Sequence, residues 1–140
     1  MGDPIEHYLR SDAPSADDSF LLLRGSPLEL GKLTDQALDF ASRFTYRGGS
    51  HTGVSVVLAT DETDADAQMA GRWLSTRPFV AVARVRDVRR SGFVLLPTFE
   101  APHYTLIVGL TKAATLPALL DLVAADTRPN PYIRRRRGQW

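Results

Sequence analysis

Apolar residues in this chain fall into short runs and helical stripes, separated by turn residues. Phe20-Leu21-Leu22-Leu23, bounded by Asp18 and Gly25, predicts a buried strand. Ser26-Pro27-Leu28-Glu29 is a helix start: Ser26 can cap, Pro27 fits the first turn and Glu29 can close a capping box. Leu30, Leu33, Ala37, Leu38, Ala41 and Phe44 then recur at helical spacing, which carries the helix to about Phe44. Gly48-Gly49 breaks the pattern, and Val54 to Ala59 is β-prone. Thr63 with Asp66 resembles a second capping pair, with Met69, Ala70, Trp73 and Leu74 giving one helix face.

The second half is richer in strands. Pro78 precedes a strand predicted over Phe79–Arg86, Ser91-Gly92 marks a turn, and Phe93–Leu96 and His103–Leu110 are further strands. Thr115-Leu116-Pro117 opens a last helix with Leu116, Leu119, Leu120 and Val123 facing inward. The predicted order is β-α-β-α-β-β-β-α. That is an α+β layout with a mostly antiparallel sheet and about three helices. Polar residues flank it. Residues 1–18 read as a flexible acidic arm, 19–126 as the folded domain and 127–140 as a basic C-terminal tail broken by Pro129 and Pro131.

Composition narrows the class. A chain of 140 residues with 44% apolar content supports one domain with one hydrophobic core. The absence of cysteine excludes disulfides and thiolate metal sites. Three isolated histidines, His7, His51 and His103, give no metal-ligand cluster, so no metal is expected. No apolar run approaches the roughly 20 residues that span a bilayer, and the N-terminus lacks a secretory pattern. The expectation is a cytoplasmic protein without membrane contact.

Charge changes the picture. The formal net charge is +1, yet residues 1–70 hold five bases and twelve acids, and residues 71–140 hold twelve bases and four acids. The positive half ends in Arg134-Arg135-Arg136-Arg137-Gly138-Gln139-Trp140. Arginines beside Tyr132 and Trp140 can pair phosphates and stack bases, so a nucleic acid or an acidic protein partner is expected. The acidic N-terminal arm could also pair with this tail at low salt.

One set of candidate residues spans the body of the chain. Arg24 closes the first strand in Leu22-Leu23-Arg24-Gly25, Ser55 lies inside Gly53-Val54-Ser55-Val56, and Glu100 follows Phe93-Val94-Leu95-Leu96-Pro97. Here the chain resembles ADP-ribosyltransferases of the arginine–serine–glutamate type, over about residues 20–110. The resemblance implies NAD as cofactor. Arg24 would hold its phosphate or ribose, with Ser55 and Tyr46 in the pocket and Glu100 as the catalytic carboxylate. Two positions depart from the pattern: Phe93 stands where the family's glutamate usually lies, and Gly53 stands two before Ser55 in place of serine.

A second set is histidine-based. Under period two, Arg84 and Arg86 project together from the predicted strand, with Arg89 and Arg90 at the turn. His103 and His51 could act as acid and base, and the arginines could stabilise charge on a phosphoryl group. That inventory is similar to metal-independent toxin-type ribonucleases. Either enzyme would be a small effector of the toxin–antitoxin kind, with an antitoxin as one possible partner. A third reading, a non-catalytic nucleic-acid- or partner-binding module, needs only the charge asymmetry.

Overall fold

Most of the apolar runs belong to one sheet. The computed structural model describes residues 2–11 and 17–133. The chain forms β1 (Asp3–Pro4), a turn of 3-10 helix (Ile5–Tyr8), β2 (Leu21–Gly25), α1 (Leu30–Arg43), β3 (Phe44–Thr45), β4 (Thr52–Ala59) and α2 (Glu62–Met69). It continues through β5 (Phe79–Arg84), α3 (Val85–Arg90), β6 (Val94–Pro97), β7 (His103–Val108), α4 (Leu116–Ala124) and β8 (Thr127–Pro129). Six strands pair in the order β6-β7-β4-β2-β5-β8, and β1 pairs separately with β3. Every neighbour in the six-stranded sheet is antiparallel, while β1 and β3 are parallel. The α+β expectation holds, and the predicted element order is contained in the observed one. Among the described residues no helix is long and apolar enough to cross a membrane.

Helices cover both faces of the sheet. Leu33 and Ala37 of α1 and Leu119 and Val123 of α4 pack on Leu22, Val56, Ala81 and Leu106. Ala65 and Met69 of α2, with Leu74 after it, pack on Leu23, Val57, Val80 and Val82. Double coverage explains β5. Val80 to Ala83 are all buried and Phe79 is exposed, so both faces of the strand are covered.

The structure corrects several boundaries. The strand expected over Phe79–Arg86 stops at Arg84, and Val85–Arg90 is helical, with Val85 and Val88 fully buried. Arg84 and Arg86 are therefore not neighbours on one strand face. Ser26 does not cap α1, because its backbone N–H donates to Phe79 O at 2.9 Å and extends the β2–β5 ladder. The helix begins after Glu29, without a side-chain cap. The cap of α2 is Asp61, not Thr63: its carboxylate accepts from Asp64 N at 2.8 Å, and the Asp64 carboxylate accepts from Thr60 N at 2.9 Å. This helix ends before Gly71, so Trp73 and Leu74 lie in a turn. Thr115 does cap α4, accepting from Ala118 N at 3.2 Å.

Both flanks of the expected domain carry packed structure. Ile5 is fully buried against Tyr46 and Ile107. Arg10 donates through Nη1 to Thr98 O and His103 O, each at 2.7 Å, so the described part of the expected arm is docked on β6 and β7. At the other end, β8 lengthens the sheet, and the buried Asn130 side chain donates to Met69 O at 3.1 Å and Leu74 O at 2.9 Å.

One discontinuity in the sheet positions the site. β2 pairs with β4 only from Leu21↔Ala59 to Leu23↔Val57. Pairing of β2 with β5 runs on to Gly25, and that of β4 with β7 runs on to Thr52. Beyond Leu23 and Val57 the sheet therefore parts into two halves, β6-β7-β4 and β2-β5-β8.

Candidate functional site

The cleft between these halves is a cavity of about 700 Å³, walled by α1, β4, β7, the turn after α2 and the loop between β6 and β7. Arg24 and Ser55 both line it. Arg24 Nη1 donates to Ser55 O at 3.0 Å, a carbonyl that the parted ladder leaves without a strand partner. Arg24 Nη2 donates to Gln36 Oε1 of α1. Both acceptors are neutral, and among the described residues Arg24 forms no ion pair.

A second cation stands close. Arg77 lines the same cavity, and its stem lies so near β2 that a Cβ on Gly25 would meet Arg77 Cγ at 2.6 Å. Burial first, and then the Arg77 charge, brings the Arg24 pKa down to about 10. At neutral pH the guanidinium is still charged. A partly buried cation with no carboxylate, beside a second cation, is an incomplete ion pair. The wall also contains two buried donors with no acceptor, Arg24 Nε and Trp73 Nε1.

Aromatic rings form the rest of the wall. His103 lies between Trp73 and Phe99, with centroids 4.9 and 5.2 Å away. Phe99 continues to Phe44 at 6.0 Å and to Tyr8 at 5.1 Å. Phe99 holds a left-handed backbone, φ 59°, which costs a bulky residue energy and is often retained at ligand sites. Gly53 shows why the expected serine is missing: Phe40 lies over it, and a Cβ there would meet the ring at 2.8 Å.

His103 is the best-held polar group in the cleft. It is 3% exposed. Its Nδ1 lies 3.2 Å from Thr98 O and 3.1 Å from Thr98 Oγ1, and Thr98 Oγ1 lies 2.7 Å from Thr105 Oγ1. Burial holds its pKa below the ordinary histidine value; the Thr98 carbonyl works against this and the Arg10 charge adds to it.

The other sequence-derived candidates lie elsewhere. Glu100 does not line the cavity; it pairs with Arg72 at the surface, on the loop that supplies Phe99. Tyr46 is buried against Ile5 and Ile107, not in the cleft. His51 directly precedes the end of β4 that pairs with Val108, whereas His103 pairs with Val57. Six positions of extended chain separate them, about 20 Å, so no acid–base pair forms. Arg84 and Arg86 line a different groove, where Asp18, Asp61 and Glu62 face them. Arg89 pairs with Asp18 at 2.8 Å, and Arg90 lies at the exposed end of α3. Arg134, Arg135, Arg136 and Arg137 lie outside the described residues.

The charge asymmetry also changes meaning in three dimensions. Asp18 pairs with Arg89, and Glu62 with Arg128, which also binds Asp126. Acids of the first half thus neutralise bases of the second. Sequence reasoning missed Gln36, Phe40, Trp73, Arg77 and Phe99. Gln36 and Phe40 share a face of α1 at i,i+4 spacing, which was a usable signal; the turn and loop residues gave none. Among the described residues no group of three acidic, histidine or cysteine side chains could hold a metal ion. No family model, curated protein or solved structure matches this chain.

Proposed function

We propose that the cleft binds NAD and that the protein is ADP-ribosyltransferase-like. The single observation that carries this reading is Arg24. It is a partly buried guanidinium without a carboxylate partner, hydrogen-bonded to Ser55 O across the parted sheet, beside Arg77. A dinucleotide phosphate supplies the missing anion, and fixed guanidinium groups favour bidentate phosphate contacts. The cavity also offers ring surface from Trp73 and Phe99 for a planar heterocycle. The geometry favours the cofactor half of the chemistry: Arg24 and Ser55 face the ligand space, and Glu100 is held outside it by Arg72. In this reading the protein is a small effector that modifies a nucleic-acid or protein target.

Thermal unfolding in the presence of NAD is the test. Ligand at 100 times its dissociation constant adds about 2.7 kcal/mol, a shift of several degrees for a domain of this size. The expected result is an upward shift that is lost in Arg24→Ala. No shift in the wild-type protein overturns the reading. The ribonuclease reading has less support, because His51 and His103 stand apart and Arg84 and Arg86 face acids.

A further inference from the structure

We propose that Nε2 of His103 is the proton acceptor of this cleft, serving a hydroxyl that attacks the ribose C1′ of the bound dinucleotide. The proposal rests on the NAD reading and adds the group that moves the proton.

Tautomer geometry is the first argument. Thr98 O can only accept, and it lies 3.2 Å from Nδ1. An unprotonated Nδ1 would set two lone pairs against each other there. With Thr98 Oγ1, 3.1 Å from Nδ1, donating to Thr105 Oγ1 at 2.7 Å, we place the hydrogen on Nδ1 toward Thr98 O and the lone pair on Nε2. Among the described residues Nε2 makes no hydrogen bond, and His103 lines both cavities that contain Arg24 and Ser55. A base held by a backbone carbonyl on one nitrogen and open on the other is oriented before the ligand arrives.

Support around the ring is the second argument. Thr98 is fully buried and Thr105 nearly so, and the Thr98–Thr105 hydroxyl contact fixes the loop against β7. Trp73 and Phe99 restrict rotation of the imidazole. Such order is costly for a histidine that only fills space, because a smaller apolar residue would need none of these bonds.

Burial, with the Arg10 charge adding to it, favours the neutral form of His103 among the charges that face it. Arg10 bonds its backbone carbonyl from the N-terminal segment. Arg24 and Arg77 face it from β2 and from the turn after α2, and Asp35, Asp39 and Arg43 of α1 line the opposite wall. Glu100 is compensated by Arg72. Neutral imidazole is the form that accepts a proton.

The step balances. An oxygen–C1′ bond forms as the C1′–nitrogen bond to nicotinamide breaks, and that electron pair leaves with neutral nicotinamide. The hydroxyl proton passes to Nε2 and then to solvent. With no target present, water is the acceptor and the product is free ADP-ribose.

The experiment is nicotinamide release from NAD by the full chain, with NAD binding followed by thermal shift. His103→Asn keeps an amide donor near Thr98 O but has no basic nitrogen. The expected result is retained binding, release slowed by about 100-fold or more, and loss of the acidic limb of the pH–rate profile. Equal release by the variant, or binding by the wild type without release, overturns the proposal and leaves the NAD reading standing. No binding by the wild type overturns both. Should His103→Asn fail to fold, the imidazole ¹⁵N shifts of the wild type decide independently. They should report hydrogen on Nδ1 near neutral pH, and hydrogen on Nε2 overturns the proposal.

Discussion

Arg24 and Ser55 sit on neighbouring strands yet meet through a guanidinium instead of through the ladder. Arg24 Nη1 reaches Ser55 O at 3.0 Å, just where β2 and β4 cease to pair. The parted sheet needs a donor to satisfy that carbonyl, and the cleft gains a cation by the same substitution of side chain for backbone.

Arg24→Met separates those two roles. Methionine keeps an unbranched stem and removes the charge. The two lost hydrogen bonds, to Ser55 O and Gln36 Oε1, cost about 1 kcal/mol each, and relief of an unpaired, partly buried charge offsets them. The variant is expected to unfold no earlier than wild type without ligand, and to show no shift with NAD. Urea unfolding of both proteins checks this. A loss of more than about 2 kcal/mol without ligand would make Arg24 a structural brace and not a ligand clamp.

Gly53→Ser tests why the chain departs from the serine expected at this position. Phe40 occupies the space: a Cβ would meet its ring at 2.8 Å. Restoring the serine forces the ring or α1 outward, with an expected cost of about 1–3 kcal/mol. A variant as stable as wild type would show that Phe40 moves freely.

What was legible in the sequence had a local cause. The apolar runs of β2, β4 and β7 and the opening of α4 at Thr115-Leu116-Pro117 are legible in the sequence, because burial and helix starts leave marks within a few residues. Val85–Arg90 was misread because Phe79 to Val88 carries apolar residues dense enough for either period, and double-sided burial of β5 removed the contrast. In the site, Arg24 and Ser55 were legible as strand residues. Trp73, Arg77 and Phe99 were not, since they occupy a turn and a loop whose path depends on tertiary contacts. The charge asymmetry misled in another way. It is real along the chain, and Asp18–Arg89 and Glu62–Arg128 cancel part of it in space.

Asn130→Ala tests the strap that holds this turn. The Asn130 side chain is buried and donates to Met69 O and Leu74 O, at the end of α2 and in the turn that carries Trp73. Its Oδ1 also accepts from Tyr132 N at 2.9 Å. Alanine removes both of these bonds; Leu74 O keeps its bond from Arg77 N at 2.9 Å, Met69 O loses its side-chain donor, and the expected loss is about 2–3 kcal/mol. Because Trp73 and Arg77 lie on the released turn, the NAD-induced shift should shrink as well. Urea midpoints with and without NAD measure both effects, and full stability in the variant would deny Asn130 its role.

His103 predicts the pH dependence of stability. Its pKa in the folded protein lies below the ordinary value of 6.5, chiefly because burial disfavours the imidazolium, with Arg10 adding to that. Between the folded and unfolded pKa values the unfolded chain binds more protons, so stability rises with pH. The contribution is fully present above about pH 6.5 and is lost as pH falls toward the folded pKa. Carboxylates that accept from arginine or backbone donors, such as Asp126, have lowered pKa values and lose their contribution at more acidic pH. Stability measured from pH 7.5 downward should therefore begin to fall near pH 6.5 in the wild type, and stay level across that first interval in His103→Asn. An unchanged profile in the variant would mean that His103 titrates alike in both states, and the cleft would then not be holding its imidazole neutral.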